Sequence, residues 1–385
     1  MPKLSVQAFS RYNKAMRIAM IGQKTMVLGE RAGGIEKHVA EISTRLVDYG
    51  HDVTVYARVR YTPKRPDKIS NVKLKFLPTI YKKHLEAITH TFFASVHALF
   101  QKYDIIHYHG VGPATMAWIP RIFAPRTTVI VTFHAQDQFH TKWGWFARRY
   151  LALGERAAVM IPHYCITVSH VLQIYCRKNF NRQVVYIPNG AEIKNVISSK
   201  ELDKFGLDPK GYVLNVGRIV GQKGLHYLVE AFKQVETKKQ LVFVGSASFT
   251  EIYFKNLREL ARGDNRIHFL GYQTGKTLDQ LYANAYLFCS PSESEGLPLV
   301  VLEAMGFGLA PLVSDIPENL EAIHHTGFTF HNADVEDLRQ KLQELVNHPE
   351  LVGERSEESR AVIETQFNWD RITQQIEGVY ISSRH

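Results

Sequence analysis

The sequence has little of what a disulfide-rich or membrane-spanning protein needs. Its 385 residues include only three cysteines, Cys165, Cys176 and Cys289. They form no C-x-x-C pair and leave an odd thiol, which excludes a disulfide framework and gives no sign of a structural zinc site. No run approaches the roughly 18 uninterrupted apolar residues of a spanning helix, and the first residues lack the order of a cleaved signal peptide. We therefore expect a cytoplasmic protein of a reducing compartment.

Acidic residues are scarce in the first half of the chain. Residues 1–185 contain 27 Lys and Arg against 10 Asp and Glu, a net charge of +17, whereas residues 186–385 contain 20 against 27, a net charge of −7. Such asymmetry indicates that one half meets an anionic surface, either membrane headgroups or nucleic acid, or that a basic surface is kept for solubility. The densest basic stretch, residues 58–83, has nine Lys and Arg and a single acid, Asp67.

The remaining composition is that of a globular protein, with 45% hydrophobic and 22% charged residues, and the length suits two domains of about 150 residues. Short apolar runs alternate with helix-length amphipathic segments, which predicts parallel α/β sheets. In the first half the predicted strands are 17–21, 52–56, 72–77, 105–108, 128–133, 164–168 and 184–187. In the second half they are 212–216, 240–244, 267–270, 287–290 and 310–314.

These two series predict two doubly wound units in one chain. We predict a flexible leader over residues 1–15, an N-terminal Rossmann-like domain over 16–190, a C-terminal Rossmann-like domain over 191–367, and a C-terminal helix over 368–385. The last segment is amphipathic at helical spacing, and we expect this helix to return to the N-terminal domain.

Two glutamates eight positions apart form the most informative local pattern. Glu295 follows a predicted strand in a loop, Pro298 suits the first turn of the next helix, and Glu303 lies inside that helix. A fully helical stretch would separate the glutamates by about 12 Å, comparable with the distance from a sugar to a ribose across a diphosphate. The free N–H groups of the turn would form a phosphate cradle. The alternative is a solvated loop glutamate followed by an ordinary helical one.

This pattern resembles the E-x7-E element of the GT-B-fold retaining glycosyltransferases of family 4, and further blocks occur in that family's order. The blocks are the glycine-rich turn 33–39, the strand ends at 104–110 and 131–134, the connection 186–190 and the phosphate motif 216–218 with 223–225. The resemblance covers nearly the whole chain from Met16. It implies an α/β, GT-B fold with two doubly wound Rossmann-like domains facing a central cleft. Bacterial enzymes of surface-polysaccharide synthesis, including rhamnosyltransferase-like members, look most similar.

The resemblance also implies a role for each matching residue. Glu295, His134, Arg218 and Lys223 would be catalytic, and the donor would be bound by Gly33, Gly34, Arg218, Lys223, Gly296, Leu297, Leu299 and Glu303. By resemblance Glu303 would hydrogen-bond the donor ribose, Glu295 the sugar hydroxyls, and His134 would contact the transferred sugar. His109 and Asp137 are acceptor-side candidates. Arginine can fork onto phosphate oxygens and lysine supplies a point charge, so both residue types suit a diphosphate.

The implied activity is that of a hexosyltransferase in cell-surface polysaccharide biosynthesis. It would move a hexosyl or deoxyhexosyl group from a nucleotide-diphosphate sugar to a glycan or lipid-linked acceptor, with retention of configuration. No strand end carries an acidic D-x-D-type pair, so we expect no metal and no cofactor, with Arg218 and Lys223 neutralising the leaving group. By resemblance the basic half is the acceptor side, which would suit a peripheral position on an anionic inner membrane face. We expect no nucleic-acid partner.

Other functions stay open at this point. A nucleotide-sugar epimerase of the same fold would turn over the donor without any acceptor. A phosphorylase acting on a storage glycan would need a lysine-bound cofactor site, and no such element is evident. The remote alternative is a non-catalytic protein that binds anions or nucleic acid, although no recognised nucleic-acid motif is visible. The segment Gly22-Gln23-Lys24 also departs from the G-x-G-x-x-G fingerprint, which disfavours a dehydrogenase.

Overall fold

A computed structural model describes residues 15–30, 32–82, 85–136, 145–247 and 250–383. The chain divides into two compact units. Unit 1 consists of Met1–Leu28, Ala32–Ile187 and Asp370–His385, and unit 2 consists of Gly29–Arg31 and Pro188–Trp369. The predicted leader lies outside the described residues apart from Ala15.

Unit 1 is built on an eight-stranded sheet. Its strands are β1 (Arg17–Ile21), β2 (Asp52–Ala57), β3 (Lys68–Ile69), β4 (Val72–Phe76), β5 (Ile105–His109), β6 (Thr128–Phe133), β7 (Tyr164–Thr167) and β8 (Val185–Tyr186). The order is β3-β4-β2-β1-β5-β6-β7-β8, and the described pairs are parallel except for β3 with β4. The central strands β5 and β6 are fully buried, as expected for a parallel sheet covered on both faces.

Helices connect these strands. They are α1 (Gly34–Asp48), α2 (Glu86–Leu99), α3 (Val111–Ala114), α4 (Trp118–Phe123), α5 (Trp145–Met160) and α6 (His170–Phe180). Crossovers between parallel strands are right-handed. The chain runs from β1 to β2 in one direction along the sheet and from β4 through β8 in the other. Consequently α1 covers one face of the sheet, and α2, α4, α5 and α6 cover the opposite face.

Unit 2 contains a six-stranded parallel sheet. Its strands are β9 (Tyr212–Val216), β10 (Gln240–Val244), β11 (Ile267–Phe269), β12 (Leu287–Ser290), β13 (Pro311–Ser314) and β14 (Phe328–Phe330), in the order β11-β10-β9-β12-β13-β14. The helices are α7 (Leu225–Lys233), α8 (Glu251–Leu260), α9 (Gly275–Ala283), α10 (Leu299–Gly306), α11 (Pro317–Ile323), α12 (Val335–Asn347) and α13 (Pro349–Thr365). The core is formed by buried residues from these strands and from α7 and α12, including Phe232, Phe243 and Leu342.

The last helix, α14 (Trp369–Ser382), contacts unit 1 beside α1. Arg45 of α1 donates to Asp370 at 2.7 Å, and His51 pairs with Glu377 at 2.9 Å. Deeper in the unit, the buried Tyr380 hydroxyl lies 2.7 Å from Nδ1 of His107. The face of the sheet that carries α1 is therefore completed by a segment from the far end of the chain.

The predicted α/β class with parallel sheets is confirmed. Every strand predicted from the sequence is present within one or two residues of its predicted bounds. Two strands were not predicted, namely β3, which is only two residues long, and β14, three residues between two helices. Pro298 is the N-cap of α10 rather than a residue of its first turn.

Among the described residues no helix combines the length and apolar character needed to span a bilayer.

We predict that Tyr380→Phe lowers the free energy of unfolding of unit 1 by about 1–3 kcal/mol, because it leaves the buried Nδ1 of His107 without its hydroxyl partner. The other ring nitrogen of His107 keeps Thr132 at 2.7 Å. Urea unfolding followed by intrinsic fluorescence measures the change. Tyr272→Phe is the matched control, because Tyr272 is 36% exposed. Equal stability of the two variants would contradict the prediction.

Candidate active site

The turn after β9 in unit 2 is shaped by two glycines with positive φ. Gly217 has a φ of +154° and Gly224 a φ of +61°. A Cβ on Gly224 would lie 2.0 Å from the carbonyl oxygen of Pro291, which is in the loop after β12. Because β9 and β12 are neighbours in the sheet, this close backbone approach joins the two loops at the carboxyl edge, where open α/β sheets bind ligands.

The joined loops hold the first pair of predicted residues. Lys223 forms an ion pair with Glu295, and both side chains are mostly shielded, with exposed fractions of 16% and 11%. The backbone N–H of Glu293 donates to the carbonyl oxygen of Gln222 at 2.9 Å. Asn189 donates to the carbonyl oxygen of Leu297 at 3.2 Å. A lysine and a glutamate 72 positions apart are thus brought into direct contact.

The remaining donor-side candidates lie on the same loop and the helix that follows it. Gly296, Leu297 and Leu299 are buried, and Leu299 is the first residue of α10. Glu303, one turn further on, accepts a hydrogen bond from the hydroxyl of Tyr282 at 3.1 Å. Burial and the Glu303 carboxylate raise the pKa of Tyr282 well above its ordinary value, so the tyrosine stays protonated and donates.

Arg218 behaves differently from Lys223. Its side chain is exposed at the start of the turn. Within the described part of the chain it forms no ion pair or hydrogen bond with another side chain. The two predicted phosphate-binding cations therefore differ, since Lys223 is held by Glu295 and Arg218 projects toward solvent.

The sequence did not single out Glu318, which lies in the first turn of α11. Burial and the negative charge of Glu295 raise the pKa of its carboxyl, so two carboxylates influence each other here. Nearby, the buried Asn319 side chain donates to Oγ of Ser314 at 2.9 Å, and Ser314 donates to the carbonyl oxygen of Ser292 at 2.5 Å. The position of Glu318 just past the end of β13 is the signal that could have identified it.

Three buried histidines lie together in unit 1. His38 is on α1, His109 ends β5 and His134 directly follows β6. Nδ1 of His109 is 3.3 Å from Nε2 of His134, and the rings of His38 and His134 meet edge to face at 4.8 Å. One ring nitrogen from each lies within 4.8 Å of the others, so this group could hold a metal ion. The sequence predicted His109 and His134 but gave no role to His38.

Two of these histidines, His109 and His134, are neutral at neutral pH. Burial lowers the pKa of His134 well below its ordinary value, and the proximity of His38 and His107 lowers it further. Burial and the adjacent histidines lower the pKa of His109 in the same direction. A neutral imidazole can donate one hydrogen bond and accept another. At neutral pH His134 can therefore orient a hydroxyl but cannot supply a positive charge.

The glycine-rich turn before α1 is organised by Glu36, a residue without a predicted role. Its buried carboxylate accepts from the backbone N–H of Gly33 at 2.7 Å and from that of Lys24 at 2.9 Å. Gly33 has a φ of −132°, so the glycine is not required by a left-handed backbone. A Cβ there would instead lie 3.3 Å from the Glu36 carboxylate. Gly34 is the first residue of α1. Asp137 lies outside the described residues.

Two Rossmann-like units whose candidate residues lie at strand ends are typical of GT-B glycosyltransferases, and comparison with known proteins confirms this class. The C-terminal half matches the model "Glycosyl transferases group 1" over residues 198–364. The N-terminal half matches "Glycosyltransferase Family 4" over residues 32–195. The chain belongs to glycosyltransferase family 4.

Individual relatives agree with this assignment. An uncharacterized glycosyltransferase of Haemophilus influenzae is 26% identical over 93% of this chain and 99% of its own length. The phosphatidyl-myo-inositol mannosyltransferase of Mycolicibacterium smegmatis is 24% identical over 78% of this chain and 76% of its own. Among solved structures, Anabaena HepE in complex with UDP and glucose has a TM-score of 0.78, 19% identity, and coverage of 95% and 100% of the two chains.

Acid should destabilise unit 1 through its neutral histidines. Burial lowers the pKa of His107, His109 and His134 well below the ordinary value, and it lowers the pKa of His90 to about 3. An unfolded histidine titrates near 6.5, so below that pH the unfolded chain binds protons that the folded unit does not. The free energy of unfolding should therefore fall as pH drops below about 6.5, by about 1.4 kcal/mol per pH unit for each neutral histidine.

Urea unfolding at pH 7.5 and at pH 5.5 measures this loss. The variant His107→Gln should reduce the pH dependence, and His325→Gln, at an exposed position of unit 2, is the control substitution. The exposed His331, whose pKa Asp337 raises, lies in unit 2 and opposes the trend there with a single group. Stability that is flat or rising toward pH 5.5 would show that the buried histidines become protonated in the folded protein.

Proposed function

We propose that this enzyme transfers a hexosyl or deoxyhexosyl group from a nucleotide-diphosphate sugar to a glycan or lipid-linked acceptor, with retention of configuration, in cell-surface polysaccharide biosynthesis. The observation that carries the proposal is the contact between Lys223 and Glu295 at adjacent strand ends of unit 2. It places a cation and a carboxylate side by side in a chain of glycosyltransferase family 4.

The cations act on the leaving group. Departure of a nucleoside diphosphate develops negative charge, and preorganised positive groups stabilise that charge. Lys223 is already positioned by Glu295, while the exposed Arg218 is available to fork onto phosphate oxygens. The first N–H groups of α10, an eight-residue helix with no acidic residue in its first turn, add donors for the same phosphates. We therefore propose a transfer that needs no metal ion.

The two glutamates of the loop and helix select the donor. Glu303 accepts hydrogen bonds from the ribose hydroxyls, and Tyr282 fixes the orientation of its carboxylate. Glu295 accepts from hydroxyls of the transferred sugar. Lys223 fixes the position of the Glu295 carboxylate through their ion pair.

Retention is explained by departure and attack on the same face of the sugar. In this scheme the leaving diphosphate accepts the proton of the acceptor hydroxyl as the new glycosidic bond forms, so no protein base is required. Neutral His134 hydrogen-bonds a sugar hydroxyl near the reacting carbon. Its lowered pKa supports this orienting role, because a neutral ring can both donate and accept.

Unit 1 is the proposed acceptor side, with His109 as a candidate contact. The net positive charge of this half of the chain supports an anionic, lipid-linked acceptor. The similarity to a phosphatidyl-myo-inositol mannosyltransferase points the same way, since the acceptor in that name is a lipid. We propose that the enzyme works as a cytoplasmic protein bound peripherally to the inner membrane face.

Nucleotide binding gives the decisive test. Thermal unfolding is measured with UDP, GDP, ADP and dTDP, each with EDTA present. We expect one nucleotide to stabilise the protein, by about 2.7 kcal/mol at 100 times its dissociation constant. UDP is the first candidate because HepE was solved with it. The shift should be lost in Arg218→Ala and kept in the control Lys255→Ala, which alters an exposed lysine of α8.

A shift that requires a divalent cation would overturn the metal-free part of the proposal. A shift with none of the four nucleotides, with or without metal, would overturn the donor site. Hydrolysis or epimerisation of the donor at the same rate with and without acceptor would favour the epimerase alternative. The anomeric configuration of the product, read by NMR, tests retention directly.

Substitutions should distinguish the residues that act in the chemical step from the residue that binds the donor. Lys223→Ala and Glu295→Ala should each lower kcat by about 100- to 1,000-fold, as expected for loss of a group that stabilises the transition state. Glu303→Ala should mainly raise the KM for the donor, by about 10- to 100-fold for one lost charged hydrogen bond. Initial rates at varied donor concentration measure both. Full activity of a variant would remove that residue from the site, and Lys255→Ala again serves as the control.

A further inference from the structure

Exposed apolar side chains are concentrated in one region of unit 1. Among the described residues 19 large hydrophobic side chains are exposed, and nine of them fall between residues 80 and 123. They are Ile80, Tyr81, Leu85, Phe92, Phe93, Phe100, Trp118, Ile122 and Phe123. The helices α5 and α6 add Leu153, Met160 and Ile174. A soluble monomer rarely leaves so many neighbouring apolar groups in water unless the surface binds something.

These side chains belong largely to one face of the sheet. The topology places α2, α4, α5 and α6 on that face, and α2 packs against α4 as α5 packs against α6. The rings of Phe92 and Phe93 are 5.6 Å apart, and those of Trp118 and Phe123 are 6.4 Å apart. The helices of the opposite face, α1 and α14, contribute no exposed large hydrophobic side chain among their described residues.

The same four helices carry exposed charge of one sign. Their exposed charged side chains, over the residues that the structure describes, are all basic: Arg121, Arg149, Arg156, Arg177 and Lys178.

The two acids of these helices are both engaged. Glu86 pairs with Arg58 at 3.0 Å and is 15% exposed. Glu155 is 1% exposed and accepts from Tyr175 at 2.7 Å. By contrast α1 and α14 mix acids and bases, with Glu41 and Asp370 both paired to Arg45. Positive charge therefore accompanies apolar exposure on one face alone.

We propose that the face formed by α2, α4, α5 and α6 binds the surface of an anionic phospholipid bilayer. Apolar and aromatic side chains enter the interfacial region while arginine and lysine contact the headgroups, the combination found in interfacial helices. The inference rests on the proposed lipid-linked acceptor, and it assigns the side of unit 1 that faces the lipid.

The composition of this face disfavours two other occupants, a second copy of the chain and nucleic acid. A second copy bound through a two-fold axis would place the same basic patch against itself, and like charges oppose association. Nucleic acid would satisfy the basic residues but would leave aliphatic side chains such as Ile122 and Leu153 in contact with water. An anionic bilayer can accommodate the apolar side chains and also attract the basic ones.

Vesicle binding by the full-length protein tests the proposal. Co-sedimentation is measured without nucleotide, using phosphatidylcholine vesicles with and without phosphatidylglycerol. We expect binding only to the anionic vesicles. The double variant Phe92→Ser/Phe93→Ser should weaken it about tenfold or more, since each ring contributes buried apolar area. Arg156→Glu/Arg177→Glu should weaken it by at least about fivefold for each basic residue.

Matched controls come from unit 2. Ile197→Ser/Ile252→Ser removes apolar side chains that are 97% and 80% exposed, and Lys255→Glu/Lys276→Glu reverses two exposed lysines. Both should bind vesicles as the wild type does. Thermal unfolding of every variant checks folding, and nucleotide binding by the same variants shows whether the donor site is intact. Vesicle binding without nucleotide binding would contradict the donor site while leaving the membrane face supported.

Several results would overturn the proposal. Absence of binding to anionic vesicles would do so, as would equal loss in the unit 2 controls, which would indicate attraction spread over the whole surface. Dimers that dissociate in Phe92→Ser/Phe93→Ser would assign the face to a second copy. Salt-sensitive DNA binding lost in Arg156→Glu/Arg177→Glu, with no vesicle binding, would assign it to nucleic acid.

Discussion

The site in unit 2 depends first on the absence of two side chains. A Cβ at Gly224 would overlap the carbonyl oxygen of Pro291, and a Cβ at Gly245 would lie 1.8 Å from that of Gly217. Only glycine permits these backbone approaches at positive φ. The first approach brings the turn after β9 against the loop after β12, where Lys223 reaches Glu295, and the second brings the residue after β10 against the start of the same turn. The electrostatics of the site are therefore a consequence of steric fit between backbones.

The two units offer different kinds of chemistry. Unit 2 presents a partly exposed cation, a shielded ion pair and a carboxylate with a raised pKa, which is a setting for anions and hydroxyls. Unit 1 presents a buried group of histidines in which burial lowers the pKa of His109 and His134. Burial of a polar group is costly unless it is hydrogen-bonded, and the mutual contacts of His109 and His134 help to meet that requirement.

Much of the fold could be predicted from the sequence because most of its strands are short, largely apolar runs, as in β6 and β12. The same pattern places His109 and His134 at strand ends. The contact of Lys223 with Glu295 could not be derived from spacing, because it arises from the adjacency of β9 and β12. Tyr282 and Glu318 were missed for a similar reason, since their partners Glu303 and Glu295 are distant in the sequence. Glu36 was missed although its contact with Gly33 is local. The roles assigned to the site residues stay predictions.

Unit 1 is formed by segments of the chain that precede and follow unit 2 in the sequence. Its sheet is complete by residue 187, whereas α14, which supplies Tyr380 to His107 and Glu377 to His51, is synthesised only after residues 188–369. Domains tend to fold as their segments emerge from the ribosome. Unit 2, contiguous apart from residues 29–31, can thus fold while the earlier unit still exposes the surface that α14 will cover. During synthesis the first unit to begin is the last to be finished.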